Sequence, residues 1–359
     1  MAKGLTAHLA RNELITVGLA VIATIASAIL TFTHANAVLS FVFSAAALSL
    51  LAMLVGHATE QLGNRMGPGA TGVLQSALGN LPELFVGIFS LRAGLVEVVQ
   101  AALVGSILAN SLLVLGLAML FGGLRNGTQR FNAEVPRTIS ALIMLAVAAL
   151  IIPTIAFRIH TPAAAHISTL SGACAVFLLV VFAASIPFSI SGDPCITPEP
   201  QPEHEDAWPM SLTLVILTLA GIGAAFVSDW FVDALTPTIK VLHLSETFTG
   251  LVIVAIAGNA VENVVGIQLA AANKTDYAIS VILNSSLQIA LGLTPILVLL
   301  SFVLGGPHLT LVLPPLLVVA LALTAIVSAY VVSDGESIWL EGVALIGLYG
   351  IIASAFWWG

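Results

Sequence analysis

The stretch GNLPELFVGIF (residues 79–89) carries one carboxylate, Glu83, inside a long apolar run of a chain that is only 8% charged. A lone carboxylate at the centre of a bilayer costs a few kcal/mol even on the lenient insertion scale, so it needs a proton, a counter-charge or a cation. The ten Lys and Arg residues all fall at or near the ends of apolar runs, which leaves a proton or a metal ion. Sliding the sequence against itself by 179 residues gives Glu83 a twin. Gly79, Asn80, Glu83, Gly87 and Ile88 meet Gly258, Asn259, Glu262, Gly266 and Ile267, and the register continues through Ala93/Ala272, Ser106/Ser285, Leu108/Leu287, Leu112/Leu291 and Leu120/Leu299.

Around the two glutamates the available groups are oxygen donors. Asn80, Glu83 and Gly87 are spaced i, i+3, i+7 and predict one helix face, as do Asn259, Glu262 and Gly266. Ser106 and Asn110 share a face one span later, and Ser285 and Gln288 share one in the second copy. Pro82 beside Glu83 is expected to break the helical ladder and release a carbonyl. Carboxylate, amide, hydroxyl and carbonyl oxygens suit a hard cation such as Ca²⁺ rather than a thiolate-binding metal. Because protons and the ion claim the same oxygens, the pair predicts a cation/proton switch, with Glu83 and Glu262 also carrying the proton coupling.

The elements that must position these residues follow from hydropathy. The 359 residues are 59% hydrophobic, with a mean hydropathy of +1.09, which predicts an all-α polytopic membrane protein. Apolar runs recur at 14–32, 38–58, 69–91, 95–122, 137–157, 163–190, 209–233, 245–271, 276–304, 309–332 and 338–358. Each is long enough to cross a bilayer, giving about eleven helices. The first run also admits a cleaved signal peptide, although it is long for one. An N-terminal tail and leading helix (1–37) precede a first five-helix repeat (38–190) and a second (209–359). An odd number of helices per repeat inverts the second copy and brings the two glutamates together near the midplane.

Between the repeats, SGDPCITPEPQPEHEDAWP spans an acidic, Pro-rich linker (191–208) that supplies much of the net charge of −8 and has no hydrophobic period. Lys3, Arg11, Arg65, Arg125, Arg130, Arg137 and Lys274 fall in loops on one side, and Arg92, Arg158 and Lys240 on the other. This asymmetry predicts a cytoplasmic N-terminus and an outside C-terminus. Cys174 and Cys195 have no metal spacing and argue against a disulfide framework. Acidic residues nearer helix ends (Glu60, Glu97, Asp229, Asp233, Glu246, Asp276) read as caps or solvated groups. Asp229 and Asp233, at i and i+4, alternatively line a vestibule. His57, His160, His166, His243 and His308 also sit near helix ends.

At these residues the chain resembles the calcium/cation–proton exchanger (CAX) family of the Ca²⁺:cation antiporter superfamily. The likeness is carried by GHATEQLG (56–63), GNLPEL (79–84), LRAGLVEVVQAALVGSILANSLLVLGLAMLFGGL (91–124), the stretch 245–302 from SETFTG to LVLLSF, and DGESIWLEGVALIGLYGIIASAFWW (334–358). The resemblance implies one leading helix and two inverted five-helix bundles. By motif, Glu83 and Glu262 bind cation or protons, and Asn80, Asn259, Ser106, Ser285 and Gln288 line the path. Three positions depart from the family pattern: Asn263 stands where a histidine is usual, Leu81-Pro82 replaces a small pair, and Asn284 replaces a glycine.

The expectation is a Ca²⁺(cation)/H⁺ antiporter working by alternating access, with no cofactor beyond the transported ions. Its partners are Ca²⁺, H⁺ and the lipid bilayer, with no nucleic acid, and the oligomeric state is left open. A compact chain without a long N-terminal extension points to the plasma membrane of a prokaryote. The alternatives are exchange of Na⁺, K⁺ or Mn²⁺ for H⁺ on the same fold, or a passive cation channel. An intramembrane hydrolase, and with it an enzyme, is disfavoured because neither HExxH nor GxSxG occurs.

Overall fold

The computed structural model describes residues 9–33, 36–63, 65, 78–190 and 208–357, with the side chains of 186–190 and 260–263 outside the described set. Almost all of it is helix, as long apolar runs require in a solvent that cannot hydrogen-bond to the backbone. In chain order the helices are α1 (Arg11–Phe32), α2 (Ala37–Gly63), α3 (Leu81–Arg92) and α4 (Val96–Asn126). Then come α5 (Glu134–Arg158), α6 (Ile167–Ile190), α7 (Met210–Leu242) and α8 (Glu246–Gly258). The last four are α9 (Ala260–Ala271), α10 (Thr275–Ser301), α11 (Pro315–Val331) and α12 (Trp339–Phe356). Among the described residues, eight helices are long and apolar enough to cross a membrane, while α8 and α11 are shorter apolar helices. One short antiparallel ladder pairs β1 (Gln129–Arg130) with β2 (Glu336–Ser337).

The packing has two large apolar bodies and a small third cluster around Trp208. One unites α1, α2 and α7 around Phe41, Leu48, Val55 and Phe231, with Phe41 and Phe231 stacked at 4.8 Å. The other joins α4–α6 with α10–α12. Helices α4 and α10 are its centre: 83% and 78% of their most apolar windows are buried, against 11% for α1, whose side chains remain outward as a lipid-facing surface would require. Large apolar residues such as Ile22, Phe177 and Val303 point outward. Among soluble proteins such a surface would mark a binding face; here it is the solvent boundary.

Three expected spans differ from what is observed. The run 245–271 is two helices, α8 and α9, separated by a turn at Asn259 (φ −88°, ψ 26°). In 69–91, a turn at Gly79–Asn80 precedes α3, and Asn80 has nearly the same backbone (φ −94°, ψ 18°); residues 66–77 lie outside the described set. Pro82 therefore sits in the first turn of α3, where no ladder bond exists to be broken, and it starts this helix rather than interrupting it. The run 309–332 becomes helical only at Pro315, because the Pro314-Pro315 pair disfavours helix before it. Residues 307–314 are instead non-helical, with the Leu309, Leu311 and Leu313 amides bonded to the hydroxyls of Ser301, Ser171 and Thr154. Gln100 donates to the Thr310 and Val312 carbonyls. That polar lining permits non-helical backbone among buried leucines.

Trp208, the last residue assigned to the linker, is fully buried rather than solvated. Its ring packs with Ala58 and Leu212. The Trp208 amide donates to Gln61 Oε1 and its indole Nε1 to Glu13 Oε2, while the Arg65 guanidinium donates to its carbonyl. The rest of the linker, residues 191–207, lies outside the described residues.

Candidate functional site

Both glutamates belong to the first turn of a short helix that starts after a Gly-Asn turn: Glu83 is the third residue of α3 and Glu262 the third of α9. A helix N-terminus carries unpaired N–H groups and partial positive charge, which favours an ionised carboxylate there by about 0.3–1 kcal/mol. The Asn80 and Asn259 side chains, each at an N-cap position, cap neither helix. Their amides reach across to the other half of the chain.

Asn80 Nδ2 donates to Gln288 Oε1 on α10 at 3.1 Å. Asn259 Nδ2 donates to Ser106 Oγ on α4 at 2.9 Å and to the Ala255 carbonyl at 2.8 Å. Asn110 Nδ2 donates to Asn259 Oδ1 and to Ser285 Oγ, both at 2.9 Å. One residue further along each helix, the Ser111 and Ser286 hydroxyls are 2.9 Å apart. Every one of these contacts except the bond to Ala255 joins residues more than a hundred positions apart. The expected residues Asn80, Asn259, Ser106, Ser285 and Gln288 thus fall into two cross-linked groups around the turns.

Glu83 lies against the break in the other half: a Cβ added to Gly258 would come within 2.9 Å of Glu83 Cγ and 3.2 Å of its Oε1. Only glycine leaves room for this approach. A small cleft opens beside Glu83, and its lining includes Gly87, Ser90, Ser106, Val254, Gly258 and Leu297. The Glu262 side chain lies outside the described set, as does that of Asn263.

The backbone near these polar groups is also unusual. Helix α4 is π-helical over Ala109–Val114 and α10 over Ile289–Leu293, at nearly equivalent positions of the repeat; α8 is π-helical over Thr249–Val254. Wider turns of this kind often occur at functional sites, and here they begin three residues after Ser106 and immediately after Gln288. At the turn between α8 and α9, the Ser49 hydroxyl of α2 lies 3.0 Å from the Ala257 carbonyl.

Sequence reasoning grouped Asn80 with Glu83 and Gly87 on a helical face, whereas Asn80 precedes its helix. It did not assign Gly258, Ser90, Ser111, Ser286 or Ser49. Gly258 and Ser90 had signals in the repeat register and in the i+7 spacing from Glu83. Ser49 had none, since it comes from a distant helix. Asp276 does take an end-of-helix role, accepting the Asn132 amide at 2.7 Å. Asp229 and Asp233 are exposed on α7.

The sodium/calcium exchanger protein family matches residues 36–188 and 212–358 of the chain. The Ca²⁺/H⁺ antiporter of Aphanothece halophytica is 35% identical over 338 residues, covering 88% of this chain and 89% of that protein. The Ca²⁺/H⁺ antiporter ChaA of Bacillus subtilis (strain 168) is 34% identical over 313 residues, covering 85% and 88%. The solved structure of native YfkE superposes with a TM-score of 0.83 at 30% identity, covering 95% of this chain and 99% of that one. The H⁺/Ca²⁺ exchanger CAX shares the fold, with a TM-score of 0.74 at 17% identity over 96% and 90%.

Proposed function

Because the chain belongs to the sodium/calcium exchanger protein family, we propose that it is a secondary antiporter exchanging Ca²⁺ for H⁺, in which Glu83 and Glu262 bind either the cation or protons. The observation that carries this reading is Glu83 from the first half seated against Gly258, at the turn from which the Glu262 helix starts. Two carboxylates with nearby amide and hydroxyl oxygens form a donor set for a hard cation. Asn80, Asn259, Ser106, Ser285 and Gln288 complete or orient it. Relatives named as Ca²⁺/H⁺ antiporters support calcium as the ion.

The twelve helices fit eleven crossings if α8 and α9 form one broken span and α3 is the second part of another. On that count one leading helix precedes two inverted five-helix repeats, the linker is cytoplasmic, the N-terminus is cytoplasmic and the C-terminus is outside. The two apolar bodies supply rigid units for alternating access, and the bacterial relatives favour a prokaryotic plasma membrane. Exchange then follows from competition. Neutralising the carboxylates with a metal ion or with protons lets the loaded carrier move, whereas the empty, charged site stays where water can reach it.

Ca²⁺ titrations of purified protein at a series of pH values test the shared oxygens. Apparent affinity should fall as pH is lowered, since each added proton occupies a ligand. Affinity that is flat across the range in which Ca²⁺ still binds contradicts a shared site.

A further inference from the structure

The two glutamate-bearing helices are sequence twins, but their far ends are held differently. Helix α9 ends at Ala271, about 14 Å along the axis from Glu262 at 1.5 Å per residue. Its last carbonyls are gripped by side chains of the first half. Gln129 Nε2 donates to the Ala270 carbonyl at 2.9 Å and to Asn273 Oδ1 at 3.0 Å. Asn126 Nδ2 lies 3.3 Å from both the Ala270 and Ala271 carbonyls. A carbonyl only accepts, so these contacts fix the amide orientations, and Gln129 is 2% exposed. Its insertion depends on a glycine: a Cβ at Gly122 would come within 2.0 Å of Gln129 Oε1. The ladder between β1 and β2 and the bond from the Asn132 amide to Asp276 at the start of α10 fix the same loop on either side.

At both far ends backbone amides return to the helix's own last turn, from Ala93, Gly94 and Leu95 in α3 and from Ala272, Asn273 and Lys274 in α9, so the side-chain donors are what differ. Among the described residues, no side chain donates to the last carbonyls of α3. The 179-residue offset shows why: Asn126 and Gln129 correspond to Gly305 and His308. Gly305 has no side chain to offer, and His308 Nδ1 lies 3.4 Å from Ser301 O.

We propose that Gln129 and Asn126 are positioning residues that clamp α9 and thereby anchor the Glu262 half-site, an anchor with no side-chain counterpart on α3 among the described residues. This rests on the two-carboxylate reading. The clamp adds side-chain anchors at the end of α9 opposite Glu262, from outside the ion path. It also places donors at the negative end of the helix dipole.

The test is a double-mutant cycle on the full chain in liposomes. Gln129→Leu should raise the KM for Ca²⁺ about tenfold, the scale of a lost buried donor, and alter kcat less. Asn126→Ala, at a more accessible donor, should change KM in the same direction. Gln129→Leu combined with Glu262→Asp should depart from the product of the single effects, whereas Gln129→Leu with Glu83→Asp should multiply within about twofold. The proposal is overturned if folded Gln129→Leu and Asn126→Ala proteins both keep the wild-type KM, or if Gln129→Leu couples equally to both glutamates. Full exchange by Glu262→Gln would instead overturn the two-carboxylate reading itself.

Discussion

Asn80 and Asn259 occupy equivalent positions of the repeat, but their oxygens are not equivalent. The Ala255 carbonyl accepts from Asn259 and so fixes which end of that amide is nitrogen; Asn259 Oδ1 must then face Asn110, which donates to it. Asn80 Oδ1 is buried with no hydrogen-bond partner among the described residues. Asn80 therefore has an oxygen to offer a cation, while Asn259 is a structural link between halves. Asn80→Ala should weaken Ca²⁺ binding with little change in melting temperature. Asn259→Ala should lower stability by about 1–3 kcal/mol, because Asn110 loses an acceptor in a buried setting. Calorimetric Ca²⁺ titration and thermal unfolding in detergent separate the two. The glutamates could be put forward as candidates from the sequence because a carboxylate in an apolar run needs a reason and a repeat supplied the second. The difference between the asparagines was not legible there, since it depends on a carbonyl and an amide brought together only by folding.

Among the elements, α3 and α9 each place a glutamate in the first turn of a short helix. Each starts after Gly-Asn, and in the second half that pair ends α8 and begins α9. Hydropathy could not reveal the turn in 245–271, because an apolar run remains apolar whether or not its backbone is continuous. The same blindness extended the expected tenth span into 309–314, where Leu309, Leu311 and Leu313 are buried without being helical; the Pro314-Pro315 pair was the local signal. At the turn, Gly258 gives close approach to Glu83. Gly258→Ala should strain this contact by about 1–3 kcal/mol and raise the KM for Ca²⁺. Gly221→Ala on α7, with nothing within 4 Å of the added carbon, is the control expected to leave transport unchanged. Equal KM values for the two variants would remove Gly258 from the account of the site.

At the scale of the whole molecule, composition pointed to membrane-spanning helices, and the acidic segment was read as the linker between two repeats. Its boundary was less legible. Trp208 looks like the end of a polar linker in sequence but is buried and bonded to Glu13, Gln61 and Arg65 of the first half. Deleting residues 192–206 with a flexible replacement should preserve exchange and melting temperature. Trp208→Ala should destabilise the fold by about 3–5 kcal/mol, the usual range for truncating a buried tryptophan. Thermal unfolding of the two variants checks this division, and equal losses would extend the structural role into the linker.

The central claim is that one pair of carboxylates trades a cation for protons, and simultaneous recording of Ca²⁺ and H⁺ movement in liposomes holding the purified protein tests it most directly. With an acidic lumen, the wild-type protein should drive external Ca²⁺ inward, release protons outward and stop when a protonophore collapses the gradient, while Glu83→Gln and Glu262→Gln should insert normally and do neither. Ca²⁺ flux down its own gradient with no accompanying proton movement, or full coupled exchange by either Gln variant, would contradict the account.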